Sequence, residues 1–180
     1  LATAYMQKIV DSVDWPALPS ADKPLHSLLD QPPCETRIGF AGQLIEDKGL
    51  DLIIEAMGQM APQDRPRLIV AGEDTQTQGE YQQRLEHLAQ SCGVADRITW
   101  LGFLDHIEDL YAQVHVMVCP SRVEPLGLVP LEAAQYGIPT FASRESGFLE
   151  TIQHNVTGVL VNADVSAWTK ALKQVQIHAW

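Results

Sequence analysis

A chain of 180 residues is long enough for one domain with a full apolar core and too short for two large ones. At 46% hydrophobic and 19% charged it reads as an ordinary globular protein, which excludes disordered and fibrous classes, and a formal net charge of -11 disfavours nucleic acid and anionic lipid as partners. No apolar run reaches the roughly 18 residues of a membrane span and no signal peptide is visible; Cys34, Cys92 and Cys119 are too few and too far apart for a disulfide framework or a zinc site, so a reducing, cytoplasmic setting is expected.

Residues 1–35, with Pro16, Pro19, Pro24, Pro32 and Pro33, read as a linker or edge segment. From residue 36 onward, short apolar runs alternate with amphipathic ones. Strands are predicted at 36–41 (TRIGFA), 67–71 (RLIVA), 97–101 (RITWL), 114–119 (VHVMVC), 140–142 and 159–161. Between them, Leu50, Ile53, Ile54 and Met57 mark one helix face, and Tyr81, Leu85 and Leu88 another. Further helices are predicted at 105–113, 128–136, 148–154 and 166–176. Gly93, Gly137 and Pro139 stand where helices should stop. This alternation implies an α/β fold, a Rossmann-like parallel sheet of about six strands with helices on both faces. Ligands bind such sheets beyond the carboxyl ends of the strands, which directs attention to the loops after Ala41, Ala71, Leu101 and Cys119.

The loop after Cys119 runs P-S-R-V-E-P-L-G-L-V-P-L-E-A. Gly127 lets a ligand approach the backbone, and Pro130 suits a first helical turn. Glu124 stands in the loop and Glu132 one turn into the helix. They either accept hydroxyl groups in one cleft, or Glu124 caps the helix while Glu132 is solvated. The loop after Ala41 runs G-Q-L-I-E-D-K-G; its Lys48 is either a point charge for a phosphate or a solvated loop lysine. No Walker loop, dinucleotide fingerprint or G-x-S-x-G elbow is present. The six histidines are scattered without ligand spacing, so no metal site is expected.

Taken in order and spacing, residues 36–172 resemble the donor domain of the retaining glycosyltransferases of family 4 (glycosyl transferases group 1), which have the two-domain GT-B fold. Residues 42–49 are similar to that family's G-R-L-x-x-x-K-G loop, and Val70, Ala71, Gly72 and Glu73 to its I-x-G-x-G strand end. Glu124 and Glu132 match its glutamate pair within E-P-x-G-L-x-x-L-E-A. Residues 134–139 follow its A-x-x-x-G-x-P, while Glu150, Thr157 and Gly158 fit its E-x-I…T-G-x-L-V tail.

The resemblance implies that residues 36–180 bind a nucleotide diphosphate sugar and that the chain belongs to a transferase that retains configuration without metal or cofactor. It assigns Lys48 to the diphosphate, Glu124 to the sugar hydroxyls and Glu132 to the ribose. Lys48 and Glu124 are its expected catalytic groups. Gly42, Gln43 and Gly72, with the backbone of Leu126, Gly127 and Leu128, complete the donor site, and the loop carrying Phe103 and Leu104 lies against the base. Asp11–Ser12–Val13–Asp14 is similar to the family's interdomain hinge, so an N-terminal acceptor domain is expected to precede this chain. The chain alone is then expected to bind donor without completing transfer to its acceptor, whose identity is open. An epimerase on the same fold and a non-catalytic binding module are the alternatives. Three positions depart from the pattern. Gln43 replaces an arginine, Asp74 replaces the second glycine of the strand-end turn and puts an acid toward the phosphates, and Ser146–Gly147 stands for a glycine pair.

Overall fold

A computed structural model describes residues 35–177; the hinge-like segment at 11–14, the prolines of the N-terminal stretch and Cys34 lie outside the described residues. In chain order the elements are β1 (Arg37–Ala41), α1 (Leu50–Gly58), β2 (Arg67–Ala71), α2 (Glu80–Ser91), β3 (Ile98–Gly102), α3 (Glu108–Tyr111), β4 (Val116–Cys119), α4 (Val129–Gln135), β5 (Thr140–Ser143), α5 (Ser146–Thr151), β6 (Val159–Val161) and α6 (Val165–Ile177). The six strands form one parallel sheet in the order β3-β2-β1-β4-β5-β6. The parallel arrangement follows from the helical crossover between each pair of consecutive strands.

Strand alternation divides the core into layers. Ile38 and Phe40 of β1, Leu68 and Val70 of β2, and Val116 and Val118 of β4 pack with Ile53 and Met57 of α1, Leu85 of α2, and Trp168 and Leu172 of α6. Ile69, Ala71 and Met117 face the other way, against Leu110 and Tyr111 of α3 and Ala133 of α4. Phe148 and Ile152 cover Ala142 and Leu160 near the β5–β6 edge. Helix α1 buries Leu50, Leu52, Ile53, Ile54, Ala56 and Met57. Each large side chain so buried contributes about 1.5–3 kcal/mol, so the start of α1 is a firm base for the loop that leads into it.

Gly93 and Gly137 end α2 and α4 as expected; the following residues return bonds from Val94 N to Ala89 O (2.9 Å) and from Ile138 N to Ala133 O (3.0 Å). Three predicted helices are shorter than expected, 128–136 by one residue at each end, as Val129–Gln135. The 105–113 pattern yields only Glu108–Tyr111, because little more than one turn buries Leu110 and Tyr111, and the Gln113 side-chain amide closes its end on Asp109 O at 2.6 Å. The 148–154 pattern becomes Ser146–Thr151: Ile152 is extended, and residues 153–157 turn back through a bond from Gln153 N to Thr157 Oγ1 at 2.9 Å.

Strands β1 and β4 are neighbours at the centre of the sheet, and the strand order reverses between them. Loops leaving such a pair diverge to opposite faces and open a crevice. They are the loops that carry Lys48 and Glu124.

Candidate functional site

The β1–α1 loop is pinned at its start, with Gly42 N bonded to Ala71 O at 3.1 Å and Leu44 N to Glu73 O at 3.0 Å. It then makes one 3-10 turn, Glu46–Lys48, which ends on Gly49. The β4–α4 loop is fastened to that turn by Arg122. Its N–H reaches Asp47 O at 2.7 Å. Its guanidinium donates to both oxygens of Asp51 (2.8 and 2.6 Å) and to Glu46 O (2.9 Å). Across this staple, Lys48 Nζ donates to Glu124 Oε2 at 2.8 Å. Glu124 also accepts from Ser121 Oγ (3.2 Å) and Gly127 N (3.2 Å). Burial pushes the Glu124 carboxyl up, but the Lys48 ammonium and the Gly127 N–H outweigh it and hold the group below the usual carboxylate range. Glu124 is therefore an anion held in place; α4 itself has no side-chain cap.

Glu132 is not simply solvated either. Its Oε2 accepts from the Tyr111 hydroxyl at 3.3 Å, and the Tyr111 ring stacks on Tyr136 with centroids 5.0 Å apart. The Cys119 thiol, buried at the end of β4, is pushed up by burial first and then by the Glu124 and Glu132 carboxylates. Both acids thus act on the end of that strand, with Lys48 close by. Gly147 supports the arrangement: its N–H donates to Glu124 O at 2.9 Å. A Cβ there would stand 2.5 Å from Glu124 O and 2.7 Å from Leu126 N. Of the glycine pair in the family pattern, the member retained here packs against the glutamate loop.

Beside this crevice lies a cleft of about 320 Å³ lined by Gly42, Gln43, Gly72, Glu73, Phe103 and Leu104 among others. Phe103 is 68% exposed and Leu128 38% exposed. Leu126 is half-buried. Glu73, to which the sequence reading gave no role, accepts from Phe103 N at 3.3 Å and so ties the β2 and β3 loops together. The carboxylate of Asp74 takes the N–H groups of Gln76 (3.2 Å), Thr77 (2.8 Å) and Tyr81 (2.9 Å), and the Thr77 hydroxyl. Asp and Thr just ahead of an amphipathic run are helix-start residues, and that signal was present in the sequence. Arg122 is committed to Asp51 and Glu46.

Two expected results follow from these placements. The Thr77 hydroxyl, then the backbone N–H groups, lower Asp74 from 3.8 to about 2. A carboxyl depressed in the folded state adds stability above its unfolded value and loses it as pH falls through the folded one. Melting temperature should therefore fall between about pH 4 and pH 2 less steeply in Asp74→Asn than in the parent; parallel curves would contradict this. Gln43 is exposed on the lip of the cleft. Gln43→Arg should tighten nucleoside diphosphate binding about five- to thirtyfold, an effect that shrinks with salt. Unchanged or weaker binding at low salt would mean that this lip does not face the phosphates.

Among the described residues no three or more His, Cys, Asp or Glu side chains gather as a metal site, and no helix is long and apolar enough to cross a membrane.

Residues 29–176 match the family model described as glycosyl transferases group 1. The chain is 36% identical over 139 residues to an uncharacterized glycosyltransferase of Methanocaldococcus jannaschii, which covers 74% of this chain and 34% of the relative. It is similar in structure to sucrose-phosphate synthase from Thermosynechococcus elongatus, with TM-score 0.74 and 32% identity over 85% of this chain and 39% of the other. It is likewise similar to Anabaena HepE in complex with UDP and glucose, with TM-score 0.74 and 25% identity over 81% of this chain and 39% of the other. The chain spans about a third of the length of the curated relatives that it matches, as the 34% share above illustrates.

Proposed function

The chain belongs to the glycosyl transferases group 1 family, and from that premise we propose that residues 36–180 form the donor-binding domain of a transferase that moves a sugar from a nucleotide diphosphate sugar with retention of configuration. The observation that carries this reading is the Lys48–Glu124 pair, 2.8 Å apart, where the strand order reverses. A structural relative holding UDP and glucose supports the ligand class.

In this reading each group has one task. An ammonium has three donors, so Lys48 can keep Glu124 and still reach a phosphate oxygen. Its charge opposes the negative charge that builds on the departing diphosphate. Leu126 and Leu128, which flank the Gly127 N–H that holds Glu124, offer backbone N–H groups to the same oxygens. Glu124, ionised and fixed by Lys48, Ser121 and Gly127, accepts hydroxyls of the sugar, and Glu132 accepts those of the ribose. No residue of the site is assigned as a nucleophile and no metal or cofactor is invoked. The acceptor is held by a preceding N-terminal domain, and the protein works in the cytoplasm. The two departures from the family pattern that suit a non-catalytic binding module are Gln43 and Asp74.

Glu124→Gln and Glu132→Gln separate the two roles. Loss of Glu132 should weaken free nucleoside diphosphate and nucleotide sugar alike, by about 1.5–3 kcal/mol, whereas loss of Glu124 should spare the free nucleotide. Calorimetric titration of both ligands checks this. Equal losses for both ligands in both variants would contradict the assignment.

A further inference from the structure

We propose that Tyr111 is a positioning residue for the Glu132 carboxylate, aiming it at the vicinal diol of a ribose. The inference rests on the reading above that Glu132 binds that sugar. Tyr111 belongs to α3 and Glu132 to α4, so the contact joins two elements that precede and follow β4. The phenol is 2% exposed, and its hydroxyl donates to Glu132 Oε2 at 3.3 Å. Its ring lies 5.0 Å from that of Tyr136, with 28° between the planes. Glu132 and Tyr136 are four residues apart on one helical face, so a single ring from α3 touches both and fixes the face they share.

A glutamate on a short helix has three side-chain torsions to lose on binding, and losing them opposes affinity. One hydrogen bond to Oε2 removes much of that freedom beforehand. The other oxygen, Oε1, makes no hydrogen bond to another described residue. Together the remaining acceptor sites match two adjacent hydroxyl donors. The hydroxyl is also a constant donor: burial first, and the Glu132 charge second, push its ionisation far above the ordinary range. A tyrosine kept only to fill the core would need its ring and not its oxygen.

Calorimetry with UDP, GDP and ADP, each against its 2′,3′-dideoxy counterpart, tests this on the parent chain, Tyr111→Phe, Glu132→Gln and the double variant. The parent should prefer the ribose form of the nucleotide it binds by roughly tenfold or more, the scale of one or two hydrogen bonds to a charged acceptor. Tyr111→Phe keeps the ring stack, so its melting temperature should stay close to the parent's. It should lower the ribose preference roughly three- to tenfold while leaving dideoxy binding unchanged. Glu132→Gln should abolish the preference, and adding Tyr111→Phe to it should change nothing more. An undiminished preference in Tyr111→Phe, or equal weakening of both nucleotide forms, would overturn the inference. A parent without ribose preference would overturn the assignment of Glu132 and the inference with it. No binding of any of the three nucleotides would overturn the donor-domain reading itself, and the inference would fall too.

Discussion

Gly49→Ala is expected to lower the melting temperature by several degrees and to remove most of the affinity for a nucleoside diphosphate. Gly49 has φ 67, a left-handed backbone that disfavours any side chain by about 1–2 kcal/mol. A Cβ there would also stand 2.2 Å from the Pro120 carbonyl oxygen. That neighbour is backbone on a different loop and cannot rotate away, so relief requires the loops to part, at about 1–3 kcal/mol. The loss of about 2–5 kcal/mol is a large share of the 5–15 kcal/mol by which a domain is stable. In a domain of this size it corresponds to a shift of about 5–15 °C. Parting the loops also moves Lys48, next to Gly49, away from Glu124, four residues beyond Pro120. Gly79→Ala is the control: Gly79 also has positive φ, 93, but a Cβ there meets nothing within 4 Å. It should show the backbone term alone and keep ligand affinity. If Gly49→Ala and Gly79→Ala behave alike, the close approach of the two loops does not hold the site together.

Lys48→Ala should weaken nucleoside diphosphate binding by about 3 kcal/mol, or roughly two orders of magnitude. Two losses combine. The contact to a phosphate oxygen goes, and Glu124 is left as an anion without its countercharge, facing the ligand's own negative charge. Solvent does little to soften this, because the side chains of Lys48 and Glu124 are 27% and 13% exposed. The double variant Lys48→Ala with Glu124→Gln should therefore bind more tightly than Lys48→Ala alone, since the carboxylate charge that faces the ligand is gone. Calorimetry at two salt concentrations checks both statements. If Lys48→Ala binds as the parent does, Lys48 is a structural partner of Glu124 and the diphosphate sits elsewhere.

The sheet was legible because parallel strands covered on both faces read as short unbroken apolar runs. The predicted 97–101 strand differs from Ile98–Gly102 by one residue at each end, and 67–71 coincides with Arg67–Ala71. Order and spacing also placed Lys48 and Glu124 on loops that follow strands; that β1 and β4 are neighbours at the centre of the sheet comes from the structure. Contacts between residues far apart in sequence left no such trace. The Arg122–Asp51 staple, the Tyr111–Glu132 bond and the Glu73–Phe103 tie join residues separated by 71, 21 and 30 positions. They depend on how helices and loops settle against the sheet, which periodicity does not record. Asp74 shows the same limit: the sequence displays the glycine it replaces, but not that Thr77 and Tyr81, three and seven residues on, bond its carboxylate and keep it ionised.

A crystal structure of this chain grown with a nucleoside diphosphate would bear most directly on the claim that the reversal point between β1 and β4 is a donor site. The expected density has diphosphate oxygens within hydrogen-bond distance of Lys48 Nζ and of the backbone N–H groups of Leu126 and Leu128, the ribose hydroxyls on Glu132, and the base beside Phe103 and Leu104. A well-ordered nucleotide bound at another edge of the sheet, with Lys48 and Glu124 paired as before and untouched, would contradict it.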